Sequence, residues 1–213
     1  ERDGSSVVIH GVGMRGLKKP KNPLNLGNSG TSIRLMSGLL SAQEFDSELC
    51  GDESLSTRPM GRVIKPLREM GADISGNDSK PPLTIIGGKQ LTAIEYTLPV
   101  ASAQIKSCLL LAGLYSEGMT SIIENGISRD HTERMLKGFG YDVTKSNNKI
   151  SLLGGGSLKG CNIEVPSDIS SAAFFMVAGC ISKNSSIILN SVNINPTRTG
   201  VIDILKLMGG NIQ

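Results

Sequence analysis

The chain contains one sequence pattern three times, at an interval that chance resemblance would not produce. Each copy ends in a glycine followed by a short strand-like segment, and these glycines, Gly71, Gly140 and Gly209, are spaced evenly at 69 residues. An arginine precedes each glycine by 11 to 13 residues. A period of this length indicates a repeat protein in which one supersecondary unit is copied. This constrains the fold more than any single element does.

The second copy shows most clearly what one unit contains. Its second helix has Met135, Leu136 and Phe139 at helical spacing, and Gly140 follows where a residue without a Cβ is favoured. A hairpin with its turn at residues 147–148 comes next. The predicted elements are a helix over 104–114, a strand over 119–123, a helix over 131–139, and strands over 141–144 and 150–153. The order is βαβαββ, and stacked copies would bury their helices. This predicts an α/β protein.

Composition excludes several other classes of protein. Hydrophobic residues make up 38% of the 213 residues, and the longest apolar run is far shorter than a membrane span of roughly 20 residues. A net charge of +3, with four Phe and three Tyr, is too little for a nucleic-acid-binding surface. Two His and four scattered Cys provide neither zinc-ligand spacing nor a disulfide scaffold. We therefore expect reduced thiols, a cytoplasmic location, and no metal, nucleic-acid or membrane partner.

The two ends of the chain interrupt the repeat. The third copy stops at Gln213, within the strand that the other copies complete, and one strand pair around residues 7–12 precedes the first copy. A strand that stops at an unpaired edge is an unusual end for a domain. We therefore expect the chain to be an internal fragment of a longer repeat protein.

The start of the first long helix is a candidate anion-binding site. Residues 27–32 (GNSGTS) are small and have free backbone N–H groups, and Arg34 follows in the first helical turn. A helix N-terminus carries about half a positive charge and suits phosphate or carboxylate. An ordinary N-cap followed by a core helix explains the segment equally well. The segment is neither a Walker loop nor a nucleophile elbow.

Three further features also indicate anion binding, but each is less specific. Ser102, Ala103 and Gln104 begin a second helix, where an ordinary cap is the simpler interpretation. Arg58 and Arg129 each begin the next helix of their unit. A surface arginine is usually a solvated charge. Nevertheless, a cation at the positive end of a helix is unfavourable unless an anion is shared, and two copies repeat this placement.

The whole chain resembles one known family in order along the sequence. Residues 26–34 (LGNSGTSIR) are similar to the LGNAGTAMR signature of the 5-enolpyruvylshikimate-3-phosphate (EPSP) synthase family. Further segments resemble those of the family, and residues 128–133 resemble the version found in its bacterial branch with low glyphosate sensitivity. These segments are residues 57–61 (TRPMG), 102–104 (SAQ), 128–133 (SRDHTE), 168–173 (DISSAA) and 195–200 (NPTRTG).

The resemblance implies both a fold and a reaction. The family has six βαβαββ units in two domains, the inside-out α/β barrel. Its members transfer the enolpyruvyl group of phosphoenolpyruvate to the 5-hydroxyl of shikimate 3-phosphate and release phosphate, in the shikimate pathway to chorismate and aromatic amino acids. The resemblance implies no metal or organic cofactor and a monomeric parent enzyme. Both substrates are anions, which agrees with helix starts that carry arginines.

The residues that match the family pattern imply two binding sets. The resemblance assigns phosphoenolpyruvate, and the inhibitor glyphosate in its place, to Gly30, Arg58, Gln104, Asn28 and Thr31. It assigns shikimate 3-phosphate to Ser102, Ala103, Gln104 and Arg129. Arg34 has a supporting role in this interpretation, and His131 belongs to the first turn of a helix.

The departures from the family pattern concern catalysis and domain limits. The resemblance implies that the family's catalytic carboxylates lie outside these 213 residues, so we expect no catalytic residue in this chain and no turnover by it alone. By analogy, residues 1–165 are two units of the shikimate-3-phosphate-binding domain, and residues 166–213 begin the second domain. Two alternatives remain, namely the sister enzyme that acts on UDP-N-acetylglucosamine, which uses a reactive Cys, and a non-catalytic anion-binding repeat module.

Overall fold

A computed structural model describes residues 2–4 and 6–213 of the chain. The chain divides into two compact units, the first ending at Cys161 and the second running from Asn162 to Gln213. No helix in the described part of the chain is both long and apolar enough to cross a membrane. The family's two-domain division, predicted at residue 165, stays a prediction.

The first unit contains a short antiparallel strand pair followed by two copies of the repeat. The strand pair is β1 (Arg2–Asp3) with β2 (Ser6–Val7). The first copy comprises β3 (Leu24–Asn25), α1 (Gly30–Leu40), β4 (Ser47–Cys50), α2 (Glu53–Ser56), α3 (Gly61–Glu69), β5 (Asp73–Asn77) and β6 (Lys80–Ile86). The second copy comprises β7 (Glu95–Thr97), α4 (Ala103–Gly113), β8 (Met119–Ile123), α5 (His131–Gly138), β9 (Thr144–Ser146) and β10 (Lys149–Leu153).

The two copies have the same sheet topology. The first sheet has the strand order β3-β4-β6-β5, and the second has the order β7-β8-β10-β9. In each sheet the first two strands are parallel, and the remaining pairs are antiparallel. The added short helix α2 does not change this order. The βαβαββ unit and the α/β class predicted from the sequence are therefore confirmed for these two copies.

Helices α1 and α4 pack against each other in the core between the two sheets. Because α4 is apolar around most of its circumference, it is buried on nearly all sides. The backbones approach closely at Gly38, where an added Cβ would lie 2.1 Å from the carbonyl oxygen of Cys108. Ile33, Leu109 and Leu110 are fully buried in this core. The prediction that stacked copies bury their helices is confirmed for this pair.

The evenly spaced glycines end three equivalent helices. Gly71 follows α3 and Gly140 follows α5, with φ angles of +95° and +74°. Gly209 has a φ of +92° and follows α7 (Gly200–Leu207) of the second unit. A left-handed residue just after a helix satisfies the last carbonyl groups, and glycine adopts this conformation without a Cβ penalty. The sequence period therefore reflects one repeated helix end.

Two strand predictions in the first unit are wrong. The strand expected from residue 141 begins only at Thr144. The backbone N–H of Tyr141 instead donates to the carbonyl oxygen of Leu136, at 2.9 Å, and so completes the end of α5. The strand pair expected around residues 7–12 lies earlier, in β1 and β2, and residues 8–12 are not in a strand.

The second unit contains the helices of a third copy without its sheet. Helix α6 (Ile169–Ile181) corresponds to α1 and α4, and α7 corresponds to α3 and α5. In residues 162–213, all described, strand pairing is limited to one bridge between Ser167 and Val192. The strand expected to run into Gln213 is therefore wrong. In the first two copies the corresponding strands β5 and β9 pair with β6 and β10, whereas residues 211–213 pair with no strand among the described residues.

Candidate anion-binding site

The N-terminus of α1 begins at a tight turn of small residues. Ser29 is the N-cap, and its side chain accepts a hydrogen bond from the backbone N–H of Ser32 at 3.1 Å. Gly27 has a φ of +55°, and its N–H donates to Oδ1 of Asn25 at 2.9 Å. Gly30 is the first helical residue. The turn therefore leaves the positive end of the helix dipole open beside Gly30.

Two arginine side chains face this helix start. A Cβ placed on Gly30 would lie 2.9 Å from Nη1 of Arg34 and 2.9 Å from Nη1 of Arg58. Two guanidinium groups and a helix N-terminus therefore surround one small volume. Among the described residues, neither Arg34 nor Arg58 has a carboxylate within ion-pair distance. Such an arrangement of uncompensated positive charge favours an anion.

Arg34 connects the two central helices. Its Nη1 donates to the carbonyl oxygen of Gly30 and to Oε1 of Gln104, both at 2.9 Å, and its Nη2 donates to the carbonyl oxygen of Pro59 at 3.3 Å. Gln104 in turn donates from Nε2 to Oγ1 of Thr31 at 2.8 Å. Burial, followed by the nearby positive charges of Arg58 and Arg62, lowers the pKa of Arg34. The supporting role predicted for Arg34 stays a prediction, and these contacts place its side chain between α1 and α4.

Arg58 is held by neutral partners at the edge of the same site. It donates to Oδ1 of Asn28 and, at 3.3 Å, to Oγ of Ser54. The amide of Asn28 donates to Oδ2 of Asp52 at 2.8 Å. Hydrogen bonds from the Leu55 backbone and then from Asn28 lower the pKa of Asp52, so this carboxylate is ionised near neutral pH. Asn28 thus separates Arg58 from the carboxylate of Asp52.

The predicted phosphoenolpyruvate set forms one connected group, whereas the predicted shikimate-3-phosphate set is divided. Ser102 is the N-cap of α4 and accepts from the N–H of Ile105 at 3.5 Å, and Ala103 begins the helix, so both lie beside Gln104. Arg129 is exposed just before α5, whose first residue is His131 as expected. Among the described contacts, no hydrogen bond joins Arg129 to the α4 start.

A buried ion cluster beneath the α4 start was not predicted from the sequence. Nζ of Lys106 lies 3.1 Å from Oε2 of Glu124 and 2.6 Å from Oε1 of Glu133. The Lys106 side chain is 0% exposed. The available sequence signal was a lysine within an otherwise apolar helix, because a lysine there must be paired when it is buried.

The second unit repeats part of the α1 arrangement at the start of α6. Asp168 is the N-cap, and its Oδ1 accepts from the N–H of Ser170 at 3.0 Å. Arg198, from the segment before α7, donates to Oγ of Ser170 and lies 3.5 Å from Oδ1 of Asp168. The arginine of the third copy therefore contacts its helix start as Arg58 does in the first.

Fold and geometry together define an α/β repeat protein in which two arginine side chains line the start of a central helix. The family model described as EPSP synthase (3-phosphoshikimate 1-carboxyvinyltransferase) matches residues 1–213. The chain therefore belongs to the EPSP synthase family and has its repeated α/β fold.

Individual relatives agree with the family match. The 3-phosphoshikimate 1-carboxyvinyltransferase of Ruthia magnifica subsp. Calyptogena magnifica is 66% identical over 213 residues, which are 100% of this chain and 49% of that protein. The enzyme of that name from Legionella pneumophila (strain Lens) is 55% identical over 211 residues, which are 99% of this chain and 49% of that protein. An EPSP synthase structure from Acinetobacter baumannii has a TM-score of 0.87 and 63% identity, covering 94% of this chain and 45% of the solved one. The chain thus spans about half the length of these relatives.

Proposed function

We propose that this chain supplies the anion-binding half of an enzyme that transfers the enolpyruvyl group of phosphoenolpyruvate to the 5-hydroxyl of shikimate 3-phosphate. The observation that supports this most strongly is the pair of guanidinium groups of Arg34 and Arg58 facing Gly30 at the α1 start. The names of the relatives support the reaction, and both substrates carry the negative charge that this site lacks.

In the proposed reaction, a carbon–oxygen bond forms between the 5-hydroxyl oxygen and C2 of phosphoenolpyruvate. The bond between C2 and the phosphate oxygen breaks, the hydroxyl loses its proton, and inorganic phosphate leaves. Negative charge grows on the departing phosphate. Fixed guanidinium groups and helix N–H groups stabilise such charge without reorganising during the reaction.

The chain's residues divide between the two substrates in this proposal. Phosphoenolpyruvate binds at the α1 start, through Gly30, Arg58, Gln104, Asn28 and Thr31. Shikimate 3-phosphate binds at the α4 start, through Ser102, Ala103, Gln104 and Arg129. Because Gln104 bonds to both Arg34 and Thr31, it aligns the two helix starts. We assign no general acid or base to this chain, and we expect the chain alone to release no phosphate.

We further propose that the parent enzyme is a cytoplasmic monomer. All four cysteines are free thiols in the structure, which supports a reducing compartment. Burial raises the pKa of Cys108 to about 12, so this thiol stays protonated and is a poor nucleophile at neutral pH.

Phosphate release by a full-length protein that contains this sequence tests the proposed function. Release should require both phosphoenolpyruvate and shikimate 3-phosphate, and UDP-N-acetylglucosamine should not replace the second. Release from phosphoenolpyruvate in the presence of UDP-N-acetylglucosamine, and not of shikimate 3-phosphate, would instead identify the sister enzyme. Binding of shikimate 3-phosphate without any release would indicate a non-catalytic anion-binding module, and both results would contradict the proposal.

A further inference from the structure

Lys106 is a fully buried cation in the first half of α4. Its side chain is 0% exposed, and those of its partners Glu124 and Glu133 are 4% and 8% exposed. Removing such charges from water is costly unless they compensate one another within the protein. A position in an apolar helix that needed only volume would be filled more easily by an aliphatic residue. The charge at Lys106 therefore needs a specific explanation.

The two carboxylates differ in how far Lys106 compensates their buried charge. Glu124 also accepts a hydrogen bond from Oγ of Ser128. In the part of the chain that the structure describes, the Glu133 carboxylate accepts no hydrogen bond, so the ion pair with Lys106 is its compensation. Without the ammonium, Glu133 would remain a buried and uncompensated charge.

The three charged residues come from three segments that meet at this point. Lys106 belongs to α4, Glu124 follows β8 directly, and Glu133 lies in the first turn of α5. The loop of residues 125–130, which carries Arg129, is therefore held near both ends by one ammonium group. Ser128, the residue before Arg129, is attached to the same cluster.

The cluster is also attached to the α4 start. The backbone N–H of Lys106 donates to the carbonyl oxygen of Ser102 at 3.1 Å, within the first helical turn. Among the described residues no hydrogen bond joins Ser102 to Arg129, but Ser102 is bonded to Lys106 through the helix backbone and Arg129 follows Ser128, which is bonded to Glu124. The buried charges therefore connect the two segments that carry Ser102 and Arg129.

We propose that Lys106, Glu124 and Glu133 form a positioning cluster that fixes the Arg129 loop relative to the α4 start and so sets the affinity for a phosphate monoester bound between them. These residues do not touch the ligand. The inference rests on the proposed function for the identity of that monoester, shikimate 3-phosphate. A phosphate binds more tightly when its hydrogen-bond donors are already in position, because binding then costs no conformational entropy for ordering them.

A variant with a neutral cluster separates positioning from stability. In the full-length protein, Lys106→Met is combined with Glu124→Gln and Glu133→Gln, which keeps similar volumes and leaves no unpaired buried charge. The matched control is Lys89→Met, since the ion pair of Lys89 with Asp73, at the start of β5 in the first repeat, is exposed. Each protein is compared by thermal melting, by titration with shikimate 3-phosphate, and by amide hydrogen exchange.

The neutral variant should fold, bind shikimate 3-phosphate roughly tenfold more weakly, and exchange faster at residues 125–130, while its Michaelis constant for phosphoenolpyruvate changes little. The control should match the unaltered protein in all three. Unchanged affinity together with unchanged exchange would overturn the proposal, as would weaker binding of both substrates alike. If the unaltered protein does not bind shikimate 3-phosphate, the proposed function fails. Exchange at residues 125–130 then decides whether the cluster fixes the loop.

Discussion

The starts of α1 and α4 occupy the same place in two successive repeats, but they are stabilised in different ways. At α1, Arg58 folds back onto Asn28 through hydrogen bonds near the surface, and Arg34 crosses to Gln104. At α4, the equivalent arginine, Arg129, is exposed, and the connection is a buried ion cluster.

The two helix starts show how copies of one repeat can use charge differently, for a ligand at α1 and for internal stabilisation at α4. At α1, the described residues leave two guanidinium groups without a carboxylate, so the local charge is available for a ligand. At α4, opposite charges compensate one another internally, and Arg129 is presented on a loop whose position they determine. Removing a group at α1 should therefore weaken binding, and removing the cation at α4 should destabilise the fold.

The largest expected effect is the loss of stability in Lys106→Met. This single change leaves two buried carboxylates without an ammonium, and breaking a buried ion pair in this way costs about 3–5 kcal/mol. Lys149→Met removes a lysine from an exposed pair in the same repeat and should cost less than about 1 kcal/mol. Urea unfolding of both variants measures the difference. Equal losses would mean that the Lys106 cluster is not the internal anchor of the α4 start.

A pair of arginine variants tests whether the two helix starts bind different anions. Arg58→Ala should mainly weaken phosphoenolpyruvate binding, and Arg129→Ala should mainly weaken shikimate 3-phosphate binding. Loss of a charge-assisted contact costs about 1.5–3 kcal/mol, or roughly ten- to hundredfold in affinity. Neither variant should lower the melting temperature much, because neither arginine belongs to the core. Equal small effects on both ligands would instead indicate solvated surface charges.

The sequence predicted the features that depend on local chemistry. Helix starts were predicted within residues 27–32 and at Ser102, and there Ser29 and Ser102 cap the helices because a hydroxyl oxygen can accept from the first free N–H groups. Gly140 ends α5 because it adopts a positive φ without strain. The helix start within residues 27–32 also followed from local signals, and anion binding there stays a prediction.

The features that the sequence did not predict depend on distant partners. Arg34 bonds to Gln104, 70 residues away, and no local pattern signals this contact. The Lys106 cluster likewise requires Glu124 and Glu133 to meet in space. The strand predicted at residues 211–213 is wrong for a similar reason, since a strand requires a pairing partner and the described residues supply none to these three. Helix α6 is the counterpart of α1 and α4, yet its Phe174 is 79% exposed, whereas α1 and α4 bury each other in the first unit.

The packing of α1 on α4 predicts a smaller loss of stability. In Gly38→Ala, the new methyl group would meet the Cys108 carbonyl oxygen of the facing helix at 2.1 Å, so the two backbones must separate. Overpacking of this kind costs about 1–3 kcal/mol. Gly138→Ala is the matched control, since Gly138 is also helical and its added Cβ has nothing within 4 Å. The control should be neutral or stabilising. Equal stability of the two variants would contradict the close approach.

The smallest effect on stability is expected for a substitution at Gly30. A methyl group there should instead change which ligand the α1 start binds. In Gly30→Ala, the Cβ would lie 2.9 Å from the ends of both arginine side chains, which can move aside because they are flexible. The φ of Gly30 is not among the positive values, so backbone strain is not expected. The methyl group occupies the space where the anion would bind, and glyphosate is longer than phosphoenolpyruvate. A steric change acts directly on the difference between two affinities.

We therefore expect Gly30→Ala to raise the inhibitory concentration of glyphosate more than the Michaelis constant for phosphoenolpyruvate, with the latter rising less than about tenfold. The melting temperature should stay the same or rise slightly, because alanine restricts the unfolded chain more than glycine does. Gly61→Ala is the control, since Gly61 also begins a helix and its Cβ would meet Ser79 at an ordinary 3.6 Å. A lower melting temperature for Gly30→Ala with an unchanged inhibition ratio would show that Gly30 serves the turn alone. The α1 start would then select its ligand only through charge.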